Sequence, residues 1–188
     1  MHARHHSVFS SSIVPFRMVF IMWLVFTVEV YLQTDFNFLG IAPRRLFGLI
    51  GILTAPLIHG DLYHLISNTI PLLFLGATLY FFYERIAGIV FFRSYFWTNI
   101  LVWLFAREAL HIGASGLVYG LASFLIFLGW FRRDFISLFI SIIITLAYGG
   151  VFYGILPQDP RVSWEAHLAG AMVGVFSAYQ LSKIRKLY

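Results

Sequence analysis

The chain has 188 residues, of which 60% are hydrophobic and only 11% are charged, and its formal net charge is +5. A soluble domain carries about 25% charged residues, so the composition argues against a soluble globular protein and indicates a polytopic membrane protein. The sequence has no cysteine, which excludes disulfides, a thiolate zinc site and a cysteine nucleophile. The positive charge therefore bears on orientation in a membrane rather than on nucleic-acid binding.

Six apolar segments are long enough, or nearly so, to cross a bilayer, which takes roughly 17–25 residues. In chain order they are Pro15–Leu32, Leu62–Tyr83, Ile86–Ala106, Ser115–Trp130, Phe135–Leu156 and Trp164–Leu181. The first segment lacks a small-residue cleavage site, so we expect it to be retained as a span. Asp61 and Ser163 are candidate N-caps for the second and sixth helices.

These segments predict an all-α, six-helix membrane domain over residues 15–182. A short cytoplasmic tail at 1–14 and a basic cytoplasmic tail at 183–188 are expected to flank it. The long first connection contains an apolar stretch, Leu46–Leu53, which we expect to lie in the interface or to dip into the membrane.

Lysine and arginine are shared unequally between the two sides of such a bundle. With six spans, the side that holds both termini carries nine of them and the other side carries four. Because cytoplasmic loops are enriched in these residues, we expect both termini in the cytoplasm and the protein in a bacterial cytoplasmic membrane.

This topology places four polar residues at a similar depth near the outer face. His64 and Asn68 lie in the first two turns of the second helix, Ser115 opens the fourth, and His167 lies in the first turn of the sixth. The fourth segment has about 16 apolar residues, or roughly 24 Å of helix, against a hydrocarbon core of about 30 Å. We therefore predict a short central fourth helix with Ser115 recessed below the outer surface.

His64 and Asn68 are four residues apart and share one helix face. Polar side chains in membrane helices usually face the interior of the bundle. The pair forms either an inter-helix hydrogen bond or two donors directed into a shared cavity.

Two GxxxG pairs follow the serine and the second histidine. Gly116 and Gly120 come directly after Ser115, and Gly170 and Gly174 follow His167. Small residues at this spacing allow close helix packing, so the two pairs are either packing devices alone or a contact that brings Ser115 to His167.

A serine hydroxyl becomes a good nucleophile when imidazole removes its proton, so a Ser115–His167 dyad is the simplest chemical interpretation. His111, four residues before Ser115, is an alternative base, although Gly113 is expected to interrupt the helix between them. The Ser115 N–H, at a helix N-terminus, could stabilise an oxyanion together with His64 and Asn68. Tyr119 either orients the imidazole or is a packing tyrosine.

Together these motifs resemble the rhomboid intramembrane serine proteases. The resemblance rests on the His64 and Asn68 pair, the GxSG at residues 113–116, and His167 followed by Gly170 and Gly174. Tyr119 matches a tyrosine that follows the family's nucleophile, and His59 matches an additional histidine. The first connection departs from the pattern because it has Pro43-Arg44-Arg45 and lacks the family's Trp-Arg pair.

The resemblance implies a serine endopeptidase with Ser115 as nucleophile and His167 as general base and acid. It implies an oxyanion hole formed by His64, Asn68 and the Ser115 N–H, and a supporting role for Tyr119. The glycines Gly113, Gly116, Gly170 and Gly174 would also support the site. Substrates would be single-span membrane proteins cut near the outer end of their transmembrane segment, without metal, cofactor or nucleic acid.

Two other functions remain open at the level of sequence. A catalytically silent relative that binds membrane-protein helices would share the fold. A small transporter would use His64, Asn68 and His167 as a relay, but repeated halves and broken helices are not evident.

Overall fold

The computed structural model describes residues 7–159 and 162–184. Within these ranges the chain is all-α, with seven α-helices, several 3₁₀ segments and no strand. The helices are α1 Val8–Leu32, α2 Gly51–Thr54, α3 Leu62–Phe82, α4 Glu84–Phe105, α5 Ser115–Arg132, α6 Phe135–Tyr148 and α7 Trp164–Leu181. The predicted tail residues 1–6 and 185–188, and residues 160–161 of the last connection, lie outside the described residues.

Four helices, α1, α3, α4 and α5, are long and apolar enough to cross a membrane. The protein is therefore a membrane protein with several apolar helices, and the count of six spans stays a prediction. Helix α6 has 14 residues and continues into a 3₁₀ segment, Gly149–Ile155, where the sequence predicts one span to Leu156. The adjacent Gly149 and Gly150 have low helix propensity and account for this change.

Helix α1 begins at Val8, seven residues earlier than the predicted span. The Ser7 hydroxyl accepts a hydrogen bond from the Ser10 N–H and caps the helix, so residues 8–14 of the predicted tail are helical. Pro15 lies inside α1 and packs against Gly76 of α3, where a Cβ would lie 2.6 Å from the proline Cβ.

Helix α5 lies at the centre of the bundle. Of its residues 67% are buried, against 22–33% in the other three candidate spans. Leu121, Phe124, Leu125 and Leu128 are fully buried in one apolar core. This helix has 18 residues, the same number as α7 and more than the 14 of α6, so the predicted short fourth helix is not confirmed.

The predicted close contact between the two GxxxG pairs is present. A Cβ on Gly170 would overlap the Gly116 carbonyl oxygen, and one on Gly174 would overlap that of Gly120. The Cα atoms of Gly116 and Gly120 also face α4, where a Cβ would lie 2.7 Å from Thr98 and Ser94 side chains, respectively. The pair on α5 therefore packs against two helices at once.

The long first connection is held to α4 by polar contacts. Arg44 donates from its backbone N–H to the Trp103 carbonyl at 2.9 Å and from its guanidinium to the Ala106 carbonyl at 2.7 Å. The Trp103 indole N–H donates to the Arg45 carbonyl at 3.0 Å. An arginine of the connection and a tryptophan of α4 thus hold this connection against α4.

Candidate active site

A cleft of about 620 Å³ opens at the end of the bundle where α3, α5 and α7 begin. Its walls include all five side chains that the sequence analysis singled out for the site: His64, Asn68, Ser115, Tyr119 and His167. The segment 107–112 and the residues before α7 complete the wall. Residues more than 100 positions apart in the sequence therefore share one cavity.

Ser115 and His167 are within hydrogen-bonding distance. The Ser115 Oγ lies 2.9 Å from His167 Nε2, and His167 Nδ1 lies 2.8 Å from the carbonyl oxygen of Gly154. Because a carbonyl only accepts, Nδ1 must carry the proton and Nε2 is left to accept from the serine hydroxyl. This tautomer is the one that a general base needs.

Gly154 was not found from the sequence. It lies in the 3₁₀ segment after α6, and a Cβ there would overlap the Tyr119 hydroxyl and lie 3.2 Å from His167 Nδ1. A side chain at this position would disturb the carbonyl contact. No sequence signal marks a backbone carbonyl as a histidine partner.

Tyr119 stacks on His167, which agrees with one of the two alternatives that the sequence left open for this tyrosine. The ring centroids are 4.0 Å apart and the planes differ by 6°. His167 is only 8% exposed, so the stacked ring and the Gly154 carbonyl together restrict its orientation. The Gly154 carbonyl accepts the Nδ1 proton of His167, as a carboxylate does in a catalytic triad.

His64 and Asn68 face the same cleft from α3. Asp61 caps this helix by accepting from the His64 N–H at 2.7 Å. The Asn68 Nδ2 donates to the His64 carbonyl at 2.9 Å, which uses one of its two N–H groups. One alternative from the sequence was a hydrogen bond between helices. This N–H instead forms a hydrogen bond within α3.

Gly113 makes room for His64. Its φ of +99° lies in a region that favours glycine, and a Cβ there would lie 2.5 Å from His64 Nε2. The chain can therefore pass over the imidazole before it enters α5.

The first turn of α5 provides unsatisfied backbone donors. Ala114 occupies its N-cap position and makes no side-chain capping bond, whereas Asp61 and Asp134 cap α3 and α6. The first N–H groups of a helix have no intrahelical acceptor, and the helix dipole favours negative charge there. The Ser115 N–H is thus placed where a negative oxygen would be stabilised.

His111 does not contact Ser115. Its Nδ1 lies 2.6 Å from Ser163 Oγ and its Nε2 lies 3.1 Å from the Arg107 carbonyl. Burial lowers the pKa of His111 below its ordinary value. The alternative that His111 serves as the base is therefore not supported by its position.

His59 lies behind His64. The two rings meet edge to face with centroids 4.9 Å apart, and His59 Nδ1 lies 3.4 Å from the Leu57 carbonyl. Burial, together with the neighbouring His64, lowers the pKa of His59 to about 4, so this ring is neutral at neutral pH.

Glu165 does not contact His167. Its carboxylate pairs with the Arg107 guanidinium at 3.1 Å. Among the described residues, no group of three or more His, Cys, Asp or Glu side chains could hold a metal ion.

The fold and the cleft define a helical membrane protein with a serine and a histidine paired at the end of its central helix. Residues 46–184 match the model of the Rhomboid domain. The chain belongs to the rhomboid family, whose members are generally intramembrane serine proteases, although some relatives are inactive.

Three relatives illustrate the range of similarity. An uncharacterised protein of Mycobacterium tuberculosis is 34% identical over 181 residues, which cover 87% of this chain and 72% of that protein. An uncharacterised protein of Mycobacterium leprae is 35% identical over 179 residues, covering 86% and 68%. RHOMBOID-like protein 4 of Arabidopsis thaliana is 31% identical over 137 residues, covering 69% of this chain and 33% of the plant protein.

Proposed function

We propose that the protein is an intramembrane serine endopeptidase in which Ser115 is the nucleophile and His167 is the general base and acid. The observation that carries the proposal is the 2.9 Å contact between Ser115 Oγ and His167 Nε2, with the tautomer set by Gly154. Membership of the rhomboid family supports the reaction class.

In the acylation step, the Ser115 oxygen attacks the scissile carbonyl and its proton passes to His167 Nε2. The carbonyl oxygen becomes negative and is stabilised by the Ser115 N–H, the Asn68 amide and the His64 ring. Collapse of the tetrahedral intermediate breaks the C–N bond, and His167 Nε2 gives its proton to the leaving amine.

In the second step, water hydrolyses the acyl-enzyme. His167 Nε2 removes a proton from the water, the hydroxide adds to the ester carbonyl, and the same proton returns to the Ser115 oxygen as it leaves. Throughout, Nδ1 keeps its proton and its bond to Gly154, and Tyr119 holds the ring in the plane that both steps need.

The substrates we propose are single-span membrane proteins cut near the outer end of their transmembrane segment. The cleft lies at one end of the bundle, where α3, α5 and α7 all begin. In the orientation favoured by the arginines and lysines, with both termini in the cytoplasm, this end is the outer one. The bacterial relatives support a location in a bacterial cytoplasmic membrane.

Cleavage of a model transmembrane substrate in reconstituted vesicles tests this function. The wild-type protein should cut the substrate, and Ser115→Ala and His167→Ala should each abolish the product without lowering expression. Cleavage that survives both substitutions would contradict the proposal. A wild-type protein that binds the helix but never cuts it would instead indicate a silent rhomboid-like protein.

A further inference from the structure

We propose that Arg107, His111, Ser163 and Glu165 form a clamp, here called the α7 clamp, that sets the distance between Ser115 and His167. The four are positioning residues, and their role rests on the proposed function of the dyad. The clamp joins the segment that leads into α5 to the segment that leads into α7.

The first half of the clamp is an ion pair. The Arg107 guanidinium lies 3.2 Å and 3.1 Å from the two carboxylate oxygens of Glu165, and its second nitrogen donates to the Val162 carbonyl at 2.9 Å. The Glu165 side chain is only 11% exposed. A partly buried pair with several hydrogen bonds is more restrictive than an exposed one.

The second half is a histidine–serine contact. His111 Nε2 lies 3.1 Å from the Arg107 carbonyl, so this nitrogen carries the proton, and Nδ1 accepts from the Ser163 hydroxyl at 2.6 Å. His111 is itself held by paired backbone hydrogen bonds with Ile41, both 2.9 Å long. The clamp is thereby anchored to the first connection as well.

The two residues of the second half each lie close to one member of the dyad. Ser163 precedes α7, and its carbonyl accepts from the His167 N–H at 3.3 Å. His111 precedes Ser115 by four residues, with Gly113 between them. The glycine contacts between α5 and α7 fix the helix axes, and they reach the first turn of α7 at Ala166, whose carbonyl oxygen would lie 3.1 Å from a Cβ on Gly116.

The first turn of α7 is therefore held by the clamp together with the Ala166 contact, the stacked Tyr119 ring and the Gly154 carbonyl. The Glu165 carboxylate pairs with the Arg107 guanidinium, and its charge also acts on His167. A misplacement of about 1 Å between reacting groups can cost on the order of 100-fold in rate. Loosening the clamp should slow the chemistry more than it destabilises the fold.

Labelling by a small fluorophosphonate tests the clamp because the probe reports the reactivity of Ser115 without a protein substrate. Glu165→Gln and Arg107→Gln should each lower the second-order labelling rate by at least about tenfold. Ser163→Ala should also lower the rate, and Ser163→Thr, which keeps the hydroxyl, should restore it.

Arg132→Gln is the matched control. Arg132 forms an ion pair with Asp134 at the opposite end of α5, so its loss should affect stability without affecting the labelling rate. Thermal melting in detergent should be recorded for every variant. Labelling rates of the clamp variants within twofold of wild type would overturn the proposal. Labelling rates that fall only in proportion to the melting temperature, with no recovery in Ser163→Thr, would overturn it too.

A cysteine pair tests the same geometry without any activity. The chain has no native cysteine, and a Cβ on Gly116 would lie 3.6 Å from the Ala166 Cβ, within the disulfide range of roughly 3.5–4.5 Å. A Thr98→Ser background removes the methyl that lies 2.7 Å from that Cβ.

Gly116→Cys with Ala166→Cys should cross-link under mild oxidation, and adding Glu165→Gln should slow cross-linking several-fold while Arg132→Gln does not. Equal cross-linking rates with and without Glu165→Gln would contradict the proposed clamp. So would the absence of a cross-link in the Gly116→Cys, Ala166→Cys parent. A wild-type protein that never labels would contradict the proposed function alone, because the cysteine result would still decide the clamp.

Discussion

The two ends of α5 are built differently. At its start, Ala114 leaves the helix without a side-chain cap, and His64, Asn68 and His167 line the same cleft as Ser115. At its other end, the Arg132 side chain pairs with Asp134, which caps the next helix. At the end of α5, a polar side chain caps the next helix. At its start, the polar side chains face the cleft and the helix has no side-chain cap.

This difference indicates that the start of α5 is less stabilised than its end because it serves the reaction. An uncapped helix start and several buried imidazoles are costly, and such features persist where function requires them. The comparison predicts that substitutions around the cleft at the start of α5 should affect activity. Substitutions of similar chemistry away from the cleft should affect only stability.

Outside the Ser115–His167 pair, the largest expected effect comes from removing an oxyanion donor. Asn68→Ala should lower the cleavage rate by about 10²–10³-fold, as loss of one such donor does in other serine hydrolases. Cleavage kinetics of the purified protein in vesicles measure this effect.

Asn99→Ala is the matched control for that substitution. Asn99 is another buried amide, and its Nδ2 donates to the Ile52 carbonyl at 3.0 Å on the first connection. It should lower the melting temperature with only a small change in rate. Equal losses of rate in the two variants would remove the distinction between the polar groups of the site and those of the scaffold.

A smaller effect is expected from the pH dependence of stability. The pKa of His59 is about 4 in the fold and 6.5 ordinarily, so the unfolded chain takes up the proton first as the pH falls. The stability that His59 contributes is complete above pH 6.5 and is lost between pH 6.5 and 4, by up to about 3 kcal/mol.

His59→Phe should therefore flatten the dependence of the unfolding free energy on pH in that interval. Unfolding by SDS titration at a series of pH values measures it. The charged or titratable neighbours His64 and Asp61 remain in the variant, so part of the slope should persist. An unchanged slope would show that His59 is not held neutral by the fold.

The smallest effect is expected at the helix caps. Asp61→Ala and Asp134→Ala should each destabilise the protein by about 1 kcal/mol, because each carboxylate caps a helix. Only Asp61→Ala should also lower the labelling rate, by a few-fold, since it releases the turn that holds His64. If both variants label alike, the cap of α3 has no part in shaping the cleft.

Much of this architecture could be predicted because it depends on local patterns. Apolar length located the helices, and the two GxxxG pairs indicated which of them touch. The i+4 spacing of Ser115 and Tyr119 made a stacked ring on His167 one of two alternatives, and the structure has the stack. These features follow from helix geometry, which the sequence encodes directly.

The contacts made by connecting segments could not be predicted in the same way. The Gly154 carbonyl is a backbone group that any residue could offer, and the ion pair of Arg107 with Glu165 joins residues 58 positions apart. The Trp103 indole on α4 donates to the Arg45 carbonyl of the first connection, a contact between segments 58 residues apart. Each of these partners depends on how distant segments meet, which residue spacing does not determine.

Fluorophosphonate labelling followed by mass spectrometry tests the central claim most directly. The wild-type protein in membranes should carry one adduct, on Ser115. Ser115→Ala should carry none, and His167→Ala should label at least about a thousand-fold more slowly. A folded wild-type protein without an adduct, or an adduct that persists in Ser115→Ala, would contradict the account.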